Sequence, residues 1–342
     1  KHDSLERQIA HTYWDLRNRN EDPQSSRNLG YLIMIKYCME VSLFHEDAIV
    51  DTLRFCNLIA QVLVKASDVE LRQLPEFLVD IVCDVMTGIA SFKPKMLAGL
   101  NFGNVFQMVV KLLSPDYASV VTNYNLRAKL GDVLYELYLP DDSTNRRQRR
   151  DVPTSVTCDP MRGGQTYLLC DPAAQATLAP SLLLLYGEVE HTGFYEKNSH
   201  RSKICKLIKY LWNSSEHRPA FRRITSNADT FIVFANGIMN ETNHLMGDVM
   251  QKLPEIRAAQ IQMENTADWS RLSEEEQTRV SEGLEENERM VKSSLPLVNQ
   301  TLAMFGYLNT DMDIRRLFLL PDLLPRLVGM LNHTSSRCVG RQ

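Results

Sequence analysis

FIVFANGIMNETNHLMGDVMQKL, residues 231–253, decides the fold class. Phe231, Ala235, Ile238, Met239, Leu245, Val249 and Leu253 recur at steps of three and four, with one polar gap at Thr242. This is the period of one helix face; a half-buried strand would alternate every second residue. The same period spreads outward. Residues 74–89 carry Leu74, Phe77, Leu78, Ile81, Val82, Val85 and Ile89, with Pro75 read in the first turn, where a helix tolerates proline. Residues 273–305 open on Ser273 and Glu276, the spacing of a capping box. The acidic run Glu274–Glu276 suits the positive end of that helix dipole, which is reason enough for it. Pro296 predicts a kink or a division there. Strand-like alternation is scarce, so the chain reads as all-α.

The bulk numbers narrow the class. A chain of 342 residues, 44% hydrophobic, can bury a sizeable core, and its net charge of −4 argues against a dedicated nucleic-acid binder. No apolar run approaches the ~20 residues of a membrane span, so no membrane partner is expected. The first residue is Lys1, with no secretory signal behind it. We therefore expect a piece of a longer protein in the cytoplasm, with the nucleus as a second location. The seven cysteines are scattered without a CxxC, and several lie in apolar helical patterns, as Cys83 does in LVDIVCDVM. They read as reduced and buried. The sequons at Asn213, Asn240, Asn299 and Asn332 read as chance matches in such a chain.

Length alone would allow about two domains, but two distant stretches favour a repeat instead. QLPEFLVDIVCDVM from Gln73 and LLPDLLPRLVGMLN from Leu319 each pair a Leu-Pro-acid start with an apolar helix. The fold expected is one elongated superhelix of armadillo-like helical hairpins over 1–342, with a compact bundle as the alternative. Residues 1–70 form a candidate N-terminal subregion. Residues 140–180, rich in proline and containing Gly163-Gly164, read as a long loop or insertion in which YLLC forms a strand or one helical turn. Its RRQRR run reads as solvated, with a polyanion or import patch as the alternative.

Catalytic and cofactor signatures are lacking. There is no GxSxG, HExxH, P-loop or GxGxxG. His191, His200, Cys205 and His217 are spaced by 9, 5 and 12, which fits no common zinc pattern. No catalytic residue, cofactor or metal is expected.

Four blocks, in order, resemble a known family. NYNLRAKLGDVL, from Asn123, resembles Asn-Pro-Tyr-Leu-Arg-Ala-Lys-Leu-Val-Glu-Val-Leu, matching at Leu126, Arg127, Ala128, Lys129 and Leu130 but lacking the proline. VEHTGFYEKNSHRSKICKLIKYLW, residues 189–212, resembles a series that includes Glu190, Arg201 and Trp212, and His217-Arg218 follows in place. The block from Phe231 matches at Asn236, Met239, Asn240 and Leu253, but Met246-Gly247-Asp248 departs from a Leu-Asp-Glu segment. LFLLPDLLPRLVGMLN supplies Arg326 and the final Met-Leu-Asn. Together they resemble the core of the ubiquitin conjugation (chain-elongation) factors, which carry a C-terminal U-box.

That resemblance implies the armadillo-like superhelix independently of the periodicity. It also implies a role in extending ubiquitin chains on substrates already marked, alongside a valosin-containing-type AAA ATPase and proteasomal delivery. The ubiquitin-conjugating enzyme would bind only through the U-box. Here the sequence stops at SSRCVGRQ without a U-box, so this piece alone is expected to be inactive. The competing expectation is a non-enzymatic helical-repeat adaptor or transport scaffold. The motif positions Asn123, Leu126, Arg127, Lys129, Glu190, Arg201, Trp212, His217, Arg218, Asn236, Asn240 and Arg326 are read as structural. Asn123 or Asn125 caps the helix that follows. Arg127 and Lys129 lie off its apolar face and are expected to pair with neighbouring carboxylates, with contact to an acidic partner as the alternative.

Overall fold

A computed structural model describes residues 2–19, 22, 26–43, 45–97, 100–140, 164–224, 228–265 and 269–339. Described residues form helices and turns, with no strand among them. The chain runs α1 (His2–Asn18), α2 (Arg27–Leu43), α3 (Glu46–Lys65), α4 (Asp68–Gln73), α5 (Phe77–Phe92), α6 (Gly103–Leu113) and α7 (Tyr124–Val133). It continues through α8 (Gly164–Cys170), α9 (Pro172–Glu188), α10 (Phe194–Trp212) and α11 (Arg218–Arg223). The last elements are α12 (Ala228–Glu264), α13 (Glu274–Leu308), α14 (Met312–Phe318) and α15 (Leu324–Val339). None is long and apolar enough to cross a membrane among the described residues.

Neighbours in sequence are mostly neighbours in space. α1 packs on α2, α3 on α5 and α6, and α5 and α6 on α7. α9 sits at the centre, touching α6, α7, α8, α10, α11 and α12. Its start is written locally: Asp171 accepts from the Ala174 amide at 2.9 Å, and Pro172 occupies the first helical position. The expected loop is thereby corrected over 164–180. Residues 141–163, including RRQRR, lie outside the described residues, but from Gly164 the chain is helical. YLLC is the body of α8, and Pro180 is carried inside α9.

α12 and α13 form a long antiparallel hairpin. At 1.5 Å per residue, 37 residues give α12 a length of ~55 Å. The polar gap at Thr242 is buried here: its hydroxyl donates to Thr301 Oγ1 at 2.9 Å, and Thr301 donates to the Val298 carbonyl at 2.9 Å. Leu253, read on the apolar face, is exposed instead. The capping box at Ser273 and Glu276 is formed. Pro296 does not divide α13, which runs unbroken to Leu308.

In α5 the phase of the buried face differs from the sequence reading. Val79, Val82, Cys83 and Met86 are buried, whereas Phe77 and Ile81 are exposed. The helix faces α3 and α7, and those two neighbours select which apolar stripe turns inward. Pro75 lies just ahead of the helix rather than in its first turn, its carbonyl accepting from Leu78 N at 3.1 Å. Cys56, Cys83 and Cys205 are buried free thiols, but Cys38 and Cys170 are exposed, against the expectation of buried cysteine throughout.

Candidate functional site

The first motif helix, α7, begins at Asn123. Its side chain accepts from the amides of Asn125 at 3.0 Å and Leu126 at 3.4 Å, so Asn123 rather than Asn125 is the cap. Leu126 and Leu130 enter the core as read. Arg127 does so too, at 1% exposure, which its place off the apolar stripe does not foretell. Its guanidinium donates from Nε to Glu188 of α9 at 2.6 Å. The two terminal nitrogens donate to the carbonyls of Leu112 at 3.1 Å and Leu113 at 3.3 Å. Those carbonyls close α6 and have no partner within their own helix. One buried cation thus finishes α6, fixes α7 and binds α9.

The device recurs. Lys111 of α6 donates to the carbonyls of Val64 at 2.9 Å and Ala66 at 2.6 Å, ending α3. Burial holds the Lys111 ammonium below its ordinary pKa, against the field of Asp68. Arg218 donates from Nε to the Trp212 carbonyl at 2.6 Å, ending α10, and lies 4.0 Å over the Trp212 ring. Arg315 donates to the Asn309 carbonyl at 2.8 Å, just past α13. Each cation also meets the negative end of a helix dipole.

Beside α7 lies a denser charge cluster. Arg201 of α10 is 2% exposed. It donates to Glu190 at 2.6 Å, pairs with Glu241 of α12 and lies 5.1 Å over the Tyr186 ring. Burial opposes its charge, but the fields of Tyr186, Glu241 and Glu190 outweigh that and hold its pKa above the usual value. Glu190 shows the same contest: burial raises its pKa, while hydrogen bonds from Lys197 and Arg201 pull it below the ordinary carboxylate range. Asp132 of α7 faces His200 at 3.1 Å and Lys203 at 3.2 Å on α10. Glu136, in the π turn that closes α7, takes Lys203 at 3.3 Å. Lys129 turns the other way, to Asp80 at 2.6 Å and Asp84 at 2.8 Å on α5.

The remaining motif positions lie apart. His217 stands at the start of α11, fully buried, its Nε2 at 2.7 Å from the Leu168 carbonyl of α8. Its Nδ1 is buried without a partner, and burial lowers its pKa. Trp212 packs edge-on against Phe221 with ring centres 5.1 Å apart. Arg326 of α15 donates to Asn240 of α12 at 2.7 Å, and Asn236 carries a buried, unpartnered Oδ1. Sequence reasoning missed the clamp cations Lys111 and Arg315 and the carboxylates Glu188, Glu241 and Asp132. Glu241 was the most readable of them, since it falls three residues after Ile238 and four before Leu245, on the apolar face.

Chemically, the cluster binds helices together. Nothing in it is arranged as a nucleophile with a base. The buried thiols stay protonated at neutral pH, with Cys56 pushed up to about 11 and Cys205 to about 12 by burial. His191, His200, Cys205 and His217 do not converge: His191 stacks on Tyr124, and the other two histidines have the separate partners named above. No group of three or more potential metal ligands forms among the described residues.

A family model described as the ubiquitin elongating factor core matches the chain over residues 2–342. The chain belongs to that family. Relatives of this elongating factor core agree. A probable ubiquitin conjugation factor E4 from Arabidopsis thaliana is 29% identical over 280 residues, covering 80% of this chain and 25% of the relative. Ubiquitin conjugation factor E4 A from Bos taurus is 23% identical over 285 residues, covering 79% and 25%. The E4 ubiquitin-protein ligase UFD2 of Saccharomyces cerevisiae is 28% identical over 177 residues, covering 50% and 18%. The chain therefore spans about a quarter of the length of the first two relatives.

Proposed function

We propose that this chain is the scaffold of a ubiquitin chain-elongation factor. It holds ubiquitylated substrate and a valosin-containing-type AAA ATPase, while a U-box outside residues 2–342 recruits the ubiquitin-conjugating enzyme. The whole protein is then a U-box-type ubiquitin transferase of the degradation pathway, working in the cytoplasm and nucleus. In the same reading its helices stack as armadillo-like hairpins.

One observation carries the proposal. The family's recurring polar residues, Arg127, Glu190, Arg201 and Arg218, are spent on joining helices rather than on a reactive centre. A rigid frame with its charges turned inward suits a part that sets distances between other parts.

The test is a chain-building assay with ubiquitin, its activating and conjugating enzymes and a mono-ubiquitylated substrate. The 342-residue chain alone should build no chains yet bind the substrate. Fusing it to a U-box should restore elongation. Robust chains from the isolated chain would overturn the proposal.

A further inference from the structure

The α12–α13 hairpin has two regimes. Up to Val249 in α12, and from Ser294 in α13, buried residues recur. Between residues 250 and 293 the only described residue that is buried is Ile256. This outer part is an arm held mainly to itself. Asn287 donates to Glu255 at 3.2 Å, Gln260 to Glu288 at 3.5 Å, and Gln277 to the Trp269 carbonyl at 2.8 Å.

Each helix carries one internal proline, and both prolines stand where the arm leaves the core. The contacts Thr242–Thr301 and Glu255–Asn287 fix the antiparallel register. In that register Pro296 stands across from the turn of α12 around Gly247, about two turns from Pro254. A proline has no amide hydrogen, so the rungs to the carbonyls of Met250 and Lys292 are absent. The paired helices therefore each lose a backbone hydrogen bond close to the level where core packing ends. One proline would kink one helix while its straight partner resisted. The two missing rungs, 250–254 in α12 and 292–296 in α13, lie within about one turn of each other in this register and give the pair a common bending region.

We propose that Pro254 and Pro296 form a hinge on which the 254–293 arm swings as a unit against the core. A swing of ~20° on a lever of ~25 Å moves the tip by roughly 9 Å. The motion requires no loss of the contacts inside the arm or inside the core.

Pulsed dipolar EPR tests this on the full 342-residue chain. Cys38, Cys158, Cys170 and Cys338 are changed to serine, and nitroxides are placed at Thr278→Cys on the arm and Ser199→Cys on α10. A second pair, Ser199→Cys with Asp116→Cys, reports the rigid core. The arm-to-core distance distribution should be about twice as broad as the core pair's. Pro254→Ala with Pro296→Ala should narrow it to nearly the core width, with helical content unchanged or raised. Equal widths for the two pairs in the chain with native prolines would overturn the hinge, whatever the variant does. An unchanged arm width in a folded double variant would also overturn it.

Discussion

Replacing Arg127 with alanine should be among the most damaging single changes in the chain. The side chain is 1% exposed and makes three hydrogen bonds. Its loss leaves the Leu112 and Leu113 carbonyls open in a buried setting, at about 1 kcal/mol each or more. It also strands Glu188, whose side chain is only 15% exposed, without its cation. Breaking a buried pair by removing one partner costs roughly 3–5 kcal/mol. Glu188 keeps some contact with water, which puts the pair's share at the low end, so Arg127→Ala should lose ~5 kcal/mol. With a urea m-value of ~3 kcal/mol/M, the midpoint falls by about 1 M or more. Urea unfolding followed by circular dichroism measures this. Lys129→Ala, two residues on, is the control. Its pairs with Asp80 and Asp84 are more than a third exposed, so its cost stays below ~1 kcal/mol. Arg127→Ala with Glu188→Leu removes the stranded charge but not the open carbonyls, so it should recover only part of the loss. If Arg127→Ala unfolded within ~1 kcal/mol of the native chain, or if the double change recovered everything, the clamp reasoning would fail.

Three further outcomes are expected. His217 has its pKa lowered by burial, so the unfolded chain takes the proton first. The stability it contributes is present above the ordinary histidine pKa of ~6.5 and is lost as pH falls through the lower native value. Melting temperature should drop more between pH 7.5 and 5.5 in the native chain than in His217→Gln; equal drops would refute this. Gly131 stands where the family pattern has valine, and a Cβ there would meet Leu185 Cδ2 at 2.8 Å. Gly131→Val should cost about 1–3 kcal/mol, and Leu185→Ala should relieve part of it; additive costs in urea unfolding would count against the fit. Finally, Cys38 and Cys170 should alkylate in the folded chain, while Cys56, Cys83 and Cys205 should react only after unfolding, as peptide mass spectrometry would resolve.

The helical period revealed the element type because it is a local property of the chain. Which stripe turns inward is not local. In α5 both the 77–81 stripe and the 79–83 stripe are apolar, and contact with α3 and α7 chose the second. The stretch 164–180 was misread as loop because proline and glycine were taken only as breakers. Asp171-Pro172 is also a helix start, and that signal stood in the sequence. Arg127 was harder to read. Burying a guanidinium becomes favourable only when carbonyls from another helix end and a carboxylate from a third helix converge on it. None of those partners is near it in sequence: Glu188 is 61 residues away. Glu241 was legible by phase, since a carboxylate on an apolar face calls for a buried cation.

The inter-helix clamps also have a direction. Lys111 closes α3, Arg127 closes α6, Arg218 closes α10 and Arg315 closes α13. In every case the donor lies later in the chain than the helix it completes. During synthesis from the N-terminus, each of these helices emerges with its last turn open, and it is sealed only when a later segment arrives. A chain that ended at residue 113 would hold α6 complete in sequence but open at its end, because the seal is Arg127, fourteen residues further on.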